Sequence, residues 1–223
     1  ITISNFVKND LIKFTGVNPE KITVTLESAD ELPKGNEPVD ELIGKKFIMY
    51  IGRPTPHKNL RRLIDAFALL QKKYPDLTLA LAGKKDSNYA RHETYVNEHG
   101  IKNVVFTGFI SDEQLRWMYE NTAVYCFPSL SEGFGLPGLE AMLHGAPVAS
   151  STATCLPETH GDAARYFDPF NVEDIAKSID DILSDDKLRN ELVKKGKNHV
   201  KTFSWQRMAE QTLAVYEKYG RKS

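Results

Sequence analysis

The chain has 223 residues, of which 41% are hydrophobic and 26% are charged, and its formal net charge is −1. This composition is typical of a globular protein with a substantial core, and the balanced charge argues against binding of nucleic acid or acidic membranes through overall charge. The apolar runs are all shorter than the roughly 18–20 residues that a membrane span requires.

The first 45 residues differ in pattern from the rest of the chain. "ITIS", "NFVKNDLIKFTG" and "KITVTLES" read as strand, helix and strand, and the polar stretch "ADELPKGNEPVDELIGK" reads as an interdomain linker. Because the chain begins with Ile1 rather than Met, we expect it to be part of a longer protein.

From residue 46, short apolar runs alternate with helical periods. The predicted strands are residues 46–52, 77–83, 103–108, 123–129 and 146–151. The predicted helices between them are residues 58–73, 87–99, 111–120 and 136–145. This alternation predicts an α/β fold with a doubly wound, mostly parallel, Rossmann-like sheet that binds ligands at the carboxyl ends of its strands.

The region after residue 169 has only helical periodicity. Two apolar periods cover residues 172–183 and 188–203, and a third begins at Trp205 and includes Tyr216. We therefore predict C-terminal helices and interpret Trp205 and Tyr216 as packing residues.

An unusual basic stretch, "YIGRPTPHKNLRRLIDAF", covers residues 50–67. We predict that its helix begins near His57 or Lys58, and within this stretch no acidic residue precedes Asp65. This is unfavourable, because each cation at a helix N-terminus costs about 0.3–1 kcal/mol. A bound anion would compensate that cost, so Arg53 and Lys58 are candidates for a diphosphate site. A solvated basic face is the alternative.

A second unusual stretch, "PSLSEGFGLPGLEAMLHGAP", covers residues 128–147 and surrounds a predicted helix start with glycine. Gly133 and Gly135 allow the backbone to approach a ligand. Glu132 and Glu140 would then flank one ligand-facing turn with two carboxylates, which suit sugar and ribose hydroxyls. The candidate backbone donors are the N–H groups of Phe134, Gly135 and Leu136. Alternatively, Glu132 only caps the helix and Glu140 only interacts with its dipole.

Together these stretches resemble the family 4 glycosyltransferases, which have the two-domain GT-B fold. The resemblance covers nearly the whole chain. It implies that residues 1–30 are a remnant of the N-terminal domain and residues 31–45 a linker. Residues 46–204 would then be the nucleotide-sugar-binding domain. Residues 205–223 would be the helix that crosses back to the N-terminal domain, which would leave part of its face exposed in this chain.

The resemblance also implies roles for individual residues. "IGRPTPHKNLRRLIDAF" is similar to the segment that holds the nucleotide diphosphate through Arg53 and Lys58. "EGFGLPGLE" is similar to the Glu-x7-Glu motif, in which Glu132 would contact the sugar and Glu140 the ribose, while the backbone at 134–136 contacts sugar and β-phosphate. Glu132, Arg53 and Lys58 are the implied catalytic residues. "LAGKK" and "FTGFISDEQL" are similar to the loops around the base, which implicates Gly83, Lys84, Ile110 and, more weakly, Asp112.

The implied activity is retaining transfer of a hexose, with mannose from GDP-mannose expected and transfer from a UDP-sugar, or another nucleotide-diphosphate sugar, as the alternative. The acceptor would be a glycan or a lipid-linked glycan held by the N-terminal domain, so we expect the chain alone to be inactive. A non-catalytic nucleotide-sugar-binding module stays open, whereas nucleic acid is disfavoured as a partner.

Other features of the sequence concern cofactors and location. No Asp-x-Asp triplet occurs and no metal-ligand spacing is present, so we expect neither a metal nor another cofactor. Cys126 and Cys155 form no disulfide framework, which favours a cytoplasmic setting, and the resemblance leaves open peripheral association of the full-length protein with the inner face of the membrane.

Thr159 and His160 are unusual at their place in "LPETHGDAARYFDP" compared with the family pattern. We consider His160 a minor functional candidate. His99 and His144 each precede a glycine at a predicted helix end, where they are expected to interact with the helix dipole.

Overall fold

The computed structural model describes residues 1–35 and 37–220, and its centre is a six-stranded sheet in which every described strand pair is parallel. The strands are β1 (Phe47–Ile51), β2 (Thr78–Ala82), β3 (Val104–Gly108), β4 (Val124–Phe127), β5 (Val148–Ser151) and β6 (Ala164–Phe167). The predicted Rossmann-like sheet is confirmed. The sixth strand was not predicted, because its short sequence "ARYF" is polar in part and lies at the sheet edge.

The strand order is β3-β2-β1-β4-β5-β6, so the order reverses between β1 and β4. Ile48 of β1 lies opposite Leu79 of β2 on one side and Val124 of β4 on the other. The connections leaving β1 and β4 therefore diverge to opposite sides, which opens a crevice at the carboxyl ends of the strands.

Helices cover both faces of the sheet. They are α1 (Asn5–Thr15), α2 (Leu60–Leu70), α3 (Ser87–Glu98), α4 (Asp112–Asn121), α5 (Leu136–Leu143), α6 (Leu156–His160), α7 (Val172–Ser184), α8 (Asp186–His199) and α9 (Trp205–Gly220). The predicted apolar face of α2 is buried together with α7 against one face of the sheet, and α4 and α5 pack on the other. The five-residue α6 was not predicted.

Helix α2 begins later than predicted. Residues Pro56–Lys58 form a separate 3₁₀ turn, and Asn59 interrupts the chain with a left-handed backbone (φ 59°) before the helix starts at Leu60. The prediction that Lys58 lies in the first turn of this helix is therefore wrong.

The N-terminal segment packs against the main domain. Its two predicted strands are reduced to one isolated bridge between Thr2 and Val24, because no further strand pairs with them in the described residues. Helix α1 is held by the Ser4 hydroxyl, which donates to the Gly133 carbonyl (2.8 Å), and by Glu158, which accepts from the backbone N–H of Asn5 (2.8 Å).

The predicted linker lies along α4 and α5. Arg116 donates to the Leu32 carbonyl (2.8 Å), and the Leu32 N–H donates to His144 Nε2 (3.2 Å), while Val39 and Leu42 are buried. The division into domain remnant and linker stays a prediction. Residue 36 of that linker and residues 221–223 of the predicted last helix lie outside the described residues.

The last helix exposes most of its apolar side chains. In α9 no described residue is buried, and Tyr216 is 65% exposed, so Tyr216 does not pack within this chain. The period of the sequence defines an apolar face but not a partner for it. Among the described residues, none of the helices combines the length and the apolar character needed to cross a membrane.

Candidate functional site

A cleft of about 560 Å³ lies at the carboxyl ends of β1, β2 and β3. The residues that line it are Ile51, Gly52, Arg53, Gly83, Lys84, Asp86, Phe109, Ile110, Asp112 and Leu115. Five of the residues singled out from the sequence therefore lie together, namely Arg53, Gly83, Lys84, Ile110 and Asp112. They come from three separate strand-end loops, as expected for an α/β ligand site.

Two glycines bring the strand ends of this cleft close together. Gly52 and Gly83 have φ of 144° and 149°, and a Cβ on Gly83 would lie 2.5 Å from the Gly52 carbonyl oxygen. The buried hydroxyl of Tyr89 lies 2.7 Å from the Ala82 oxygen and 3.1 Å from the Gly52 oxygen, and it joins both turns as their donor. Only glycine permits this approach.

Arg53 lies at the rim of the cleft, with its side chain 77% exposed. Its Nε is 3.4 Å from Asp86 Oδ2. Asp86 also caps α3, and the backbone N–H of Tyr89 is the main cause that lowers the pKa of Asp86, with Asn88 and Arg53 contributing. Asp86 therefore holds Arg53 through one of its five N–H donors, which leaves others for an anion.

Lys58 and Glu132 form an ion pair beside this cleft. Lys58 Nζ lies 2.6 Å from Glu132 Oε1, and the two side chains are 22% and 13% exposed. The contact between these two residues was not predicted, because separate roles were expected for them. Because an ammonium has three N–H donors and a carboxylate several acceptor sites, each group can still bind a ligand while it holds the other.

Asn59 joins the two loops that carry this pair. Its buried side-chain amide donates to the carbonyl oxygens of Pro128 (3.0 Å) and Pro169 (2.8 Å). The Leu130 N–H adds a bond to the His57 carbonyl oxygen (2.7 Å). Asn59 was not predicted as a site residue, although asparagine is one of the few residues that adopt the left-handed backbone readily.

The remaining cations of the basic stretch have other partners. Arg61 pairs with Asp65 (3.4 Å) and lies over the ring of Tyr95, and Arg62 donates to Asn59 Oδ1 (2.9 Å). Among the cations of this stretch, Arg53 lines the cleft and Lys58 pairs with Glu132. The prediction of a single cationic helix start is thus wrong, because the turn at 56–59 separates Lys58 from the helix that carries the two arginines.

The glycine loop, residues 132–135 before α5, is held by contacts with Cys155. Gly135 has φ of 106° and precedes Leu136, the first residue of α5. The sulfur of Cys155 lies 3.2 Å from the carbonyl oxygens of both Glu132 and Phe134. The side chain of Phe134 is buried, so Phe134 can offer a ligand only its backbone N–H, which is the group predicted from the sequence.

Glu140 lies on the second turn of α5 and is half-buried. The Tyr119 hydroxyl donates to Glu140 Oε2 (3.3 Å). Burial raises the pKa of Glu140; Tyr119 opposes this, and the charge of Asp112 adds to it. Glu140 is thus a partly desolvated carboxylate that the Tyr119 hydroxyl holds in place.

His99 and His144 lie at helix ends, as predicted. His99 Nδ1 is 3.0 Å from the Tyr95 oxygen of α3, whereas His144 stacks on Tyr119 and accepts from Leu32. In the described residues, no group of three or more His, Cys, Asp or Glu is arranged to hold a metal ion.

A doubly wound parallel sheet with a cleft at the carboxyl ends of its strands defines a Rossmann-like ligand-binding domain. The chain belongs to the glycosyl transferases group 1 family, whose sequence model matches residues 35–199. Its structural relatives are GT-B glycosyltransferases, and its motifs are those of the C-terminal domain of the family 4 type.

Known relatives include mannosyltransferases. The chain is 32% identical to O-antigen chain mannosyltransferase B of Escherichia coli, over 97% of this chain and 60% of that protein. It is 33% identical to MMP alpha-(1->4)-mannosyltransferase of Mycolicibacterium hassiacum, over 98% of this chain and 53% of that protein. The chain thus spans little more than half the length of these relatives.

Among solved structures, sucrose-phosphate synthase from Thermosynechococcus elongatus is similar, with a TM-score of 0.83 and 25% sequence identity. The superposition covers 100% of this chain and 58% of that chain.

Proposed function

We propose that this chain is the donor-binding domain of a retaining glycosyltransferase and that its donor is GDP-mannose. The observation that carries the proposal is the Lys58–Glu132 pair, which places a cation and a carboxylate together at the strand ends, beside a cleft of about 560 Å³. The identity with two proteins named as mannosyltransferases supports mannose as the sugar.

The cleft suits a nucleobase. Ile51, Phe109, Ile110 and Leu115 give it apolar walls, and Asp112 adds a carboxylate. Guanine presents N1–H and N2–H₂ donors on one edge, whereas uracil presents a single N–H, so a carboxylate is a better partner for guanine. Asp112 therefore favours GDP over UDP, with the rest of the cleft available to the ring and Lys84 at its edge.

The diphosphate is proposed to bind between Arg53, Lys58 and the backbone N–H groups at 134–136. Those N–H groups lie at the start of α5, where the helix dipole favours negative charge. As the bond from the sugar to the leaving phosphate breaks, these donors and cations stabilise the charge that develops on the phosphate.

Glu132 is proposed to orient the sugar hydroxyls, and Glu140 the ribose hydroxyls. We do not assign Glu132 as a nucleophile, since its carboxylate is already paired with Lys58 at 2.6 Å, and a paired carboxylate is less nucleophilic. Retention would then follow from attack by the acceptor on the face from which the phosphate leaves.

The acceptor is proposed to be a glycan or a lipid-linked glycan bound by an N-terminal domain. This chain spans 60% and 53% of the two mannosyltransferases described above, so acceptor contacts are expected from outside it. On this proposal the chain alone binds donor without transfer, and the full-length protein works in the cytoplasm, at the inner face of the membrane.

Isothermal titration calorimetry with GDP, GDP-mannose and UDP-glucose tests the assignment of the two glutamates. Glu140→Ala should weaken all three ligands, whereas Glu132→Ala should remove only the affinity that mannose adds to GDP. Equal weakening of GDP and GDP-mannose by Glu132→Ala would contradict the role of Glu132, and tighter binding of UDP-glucose by the native chain would move the donor to the uridine class.

Asp112→Asn tests the base preference separately. The variant should lose about tenfold in GDP affinity and little in UDP affinity, because only guanine uses both carboxylate oxygens. Binding by the native chain should persist in excess chelator, since protein cations neutralise the diphosphate. An absolute requirement for a divalent metal would count against this site.

A further inference from the structure

His160 is completely buried beneath the glycine loop, at the last residue of α6. Its Nε2 lies 3.3 Å from the Gly135 carbonyl oxygen, and its Nδ1 lies 3.1 Å from the hydroxyl of Ser150 on β5. A carbonyl oxygen only accepts hydrogen bonds, so Nε2 carries the proton. Nδ1 of the neutral ring then accepts from Ser150, and a chain of bonds runs from β5 through the imidazole to Gly135.

The imidazole stays neutral in the folded protein. Burial lowers the pKa of His160 to about 4, although the bond to Gly135 opposes this. At neutral pH the ring therefore has one donor, which bonds to Gly135, and one acceptor, which bonds to Ser150.

The surrounding chain is built to hold this ring in place. A Cβ on Gly138 would lie 2.1 Å from His160 Nε2, so any side chain at that position would displace the imidazole. The end of α6 is held in addition by His199, whose Nε2 lies 2.8 Å from the Thr159 carbonyl oxygen.

The bond to Gly135 fixes the orientation of one peptide plane. In a trans peptide the carbonyl of Gly135 and the N–H of Leu136 point in opposite directions. The Gly135 carbonyl faces the interior, where it accepts from His160 and from the Gly138 N–H (3.0 Å). The Leu136 N–H is consequently turned away from the imidazole.

We propose that His160 is a positioning residue that holds the Gly135–Leu136 peptide so that the Leu136 N–H donates to the β-phosphate of the donor. The inference rests on the proposed function, since it assigns a support to the diphosphate site. Ser150 fixes the ring, and the absence of a side chain at Gly138 gives it room.

Two variants separate the halves of the imidazole. The amide of Gln reaches the position of Nε2, so His160→Gln keeps a donor for Gly135. The amide of Asn reaches only the position of Nδ1, so His160→Asn keeps the contact with Ser150 and loses Gly135. Calorimetry with GDP and GMP, beside thermal unfolding of each variant, measures the effect.

In His160→Asn we expect GDP affinity to fall about tenfold and GMP affinity to change less than twofold, because GMP lacks a β-phosphate. His160→Gln should keep the GDP-to-GMP affinity ratio of the native chain. Gly138→Ala, which displaces the ring, should reproduce His160→Asn. A purely structural role predicts lower unfolding temperatures with an unchanged ratio in the folded variants, and that result would overturn the inference.

The native chain provides a measurement that does not depend on folding of the variants. In ¹H–¹⁵N spectra the Leu136 amide resonance should move on addition of GDP and much less with GMP. If GDP binds and the Leu136 resonance does not move, the inference fails while the proposed function stands. If GDP does not bind at all, the proposed function fails and the inference fails with it.

Discussion

Replacing Lys58 by Met removes the ammonium but keeps an unbranched side chain of similar length. Lys58 is 22% exposed and pairs at 2.6 Å with Glu132, which is 13% exposed. The substitution therefore leaves Glu132 largely buried without its cation, and it removes a cation from the proposed diphosphate site. We expect both the free energy of unfolding and the affinity for GDP to fall.

The size of each effect follows from the kind of interaction lost. An unpaired polar group in a largely buried position costs about 1–3 kcal/mol, so the free energy of unfolding should fall by that amount. A charge-assisted bond to phosphate contributes about 1.5–3 kcal/mol, which corresponds to about a tenfold to hundredfold increase in the Kd for GDP. In the double variant Lys58→Met/Glu132→Gln, the stability loss should be partly recovered because no unpaired carboxylate remains.

Urea unfolding and calorimetry with GDP measure the two effects. Lys177→Met is the matched control, since Lys177 pairs with Asp181 at 3.5 Å but is 65% exposed and lies on α7, away from the cleft. We expect the control to change stability by less than about 0.5 kcal/mol and GDP affinity not at all. If Lys58→Met binds GDP within twofold of the native chain, Lys58 is not part of a diphosphate site.

Three further predictions concern His160, Asn59 and the cysteines. The pKa of His160 is about 4 in the folded chain and about 6.5 in the unfolded chain, so the unfolded chain takes up the proton first as pH falls. The contribution of neutral His160 to stability is therefore complete above pH 6.5, and about 3 kcal/mol is lost as pH falls to 4. Urea unfolding at pH 7 and pH 4.5 should show most of this loss in the native chain and not in His160→Gln. An equal fall in the free energy of unfolding in both proteins would refute this prediction. Asn59→Ala should lower the free energy of unfolding by about 2–4 kcal/mol, because two buried carbonyls lose their donor and the backbone is left-handed. Asn59→Gly should cost about 1 kcal/mol less, because glycine adopts this backbone without strain. Equal losses of stability in chemical denaturation would exclude backbone strain. Burial raises the pKa of Cys155 to about 11 and that of Cys126 further, so a thiol reagent at pH 8 should label neither residue until the chain unfolds.

Much of the fold was predictable because it depends on local pattern. Continuous apolar runs predicted five of the six strands, and the period of α2 predicted the residues that it buries. Strand β6 was missed because half of its side chains face partly outward, and the start of α2 was misplaced because a left-handed Asn59 leaves no trace in hydrophobic periodicity.

The candidate site was predictable only in part. The two motif stretches and the two base loops provided all the residues assigned to it, and the strand-end position of the cleft followed from the alternation of strands and helices. The partners of those residues were not predictable: Arg53 with Asp86, Glu140 with Tyr119, and the dispersal of Arg61 and Arg62 away from the cleft.

By itself the sequence determined five of the six strands of the sheet and the helices α2 to α5, because apolar spacing and glycine placement act over a few residues. The tertiary structure alone decided that Lys58 meets Glu132, 74 positions away, and that His160 meets Gly135. Lys58 follows β1 and Glu132 follows β4, and these strands are neighbours only because the strand order reverses between them. Such contacts depend on which strands pair. Strand pairing is determined by burial of the whole sheet between its helices, and no local stretch of the chain specifies it.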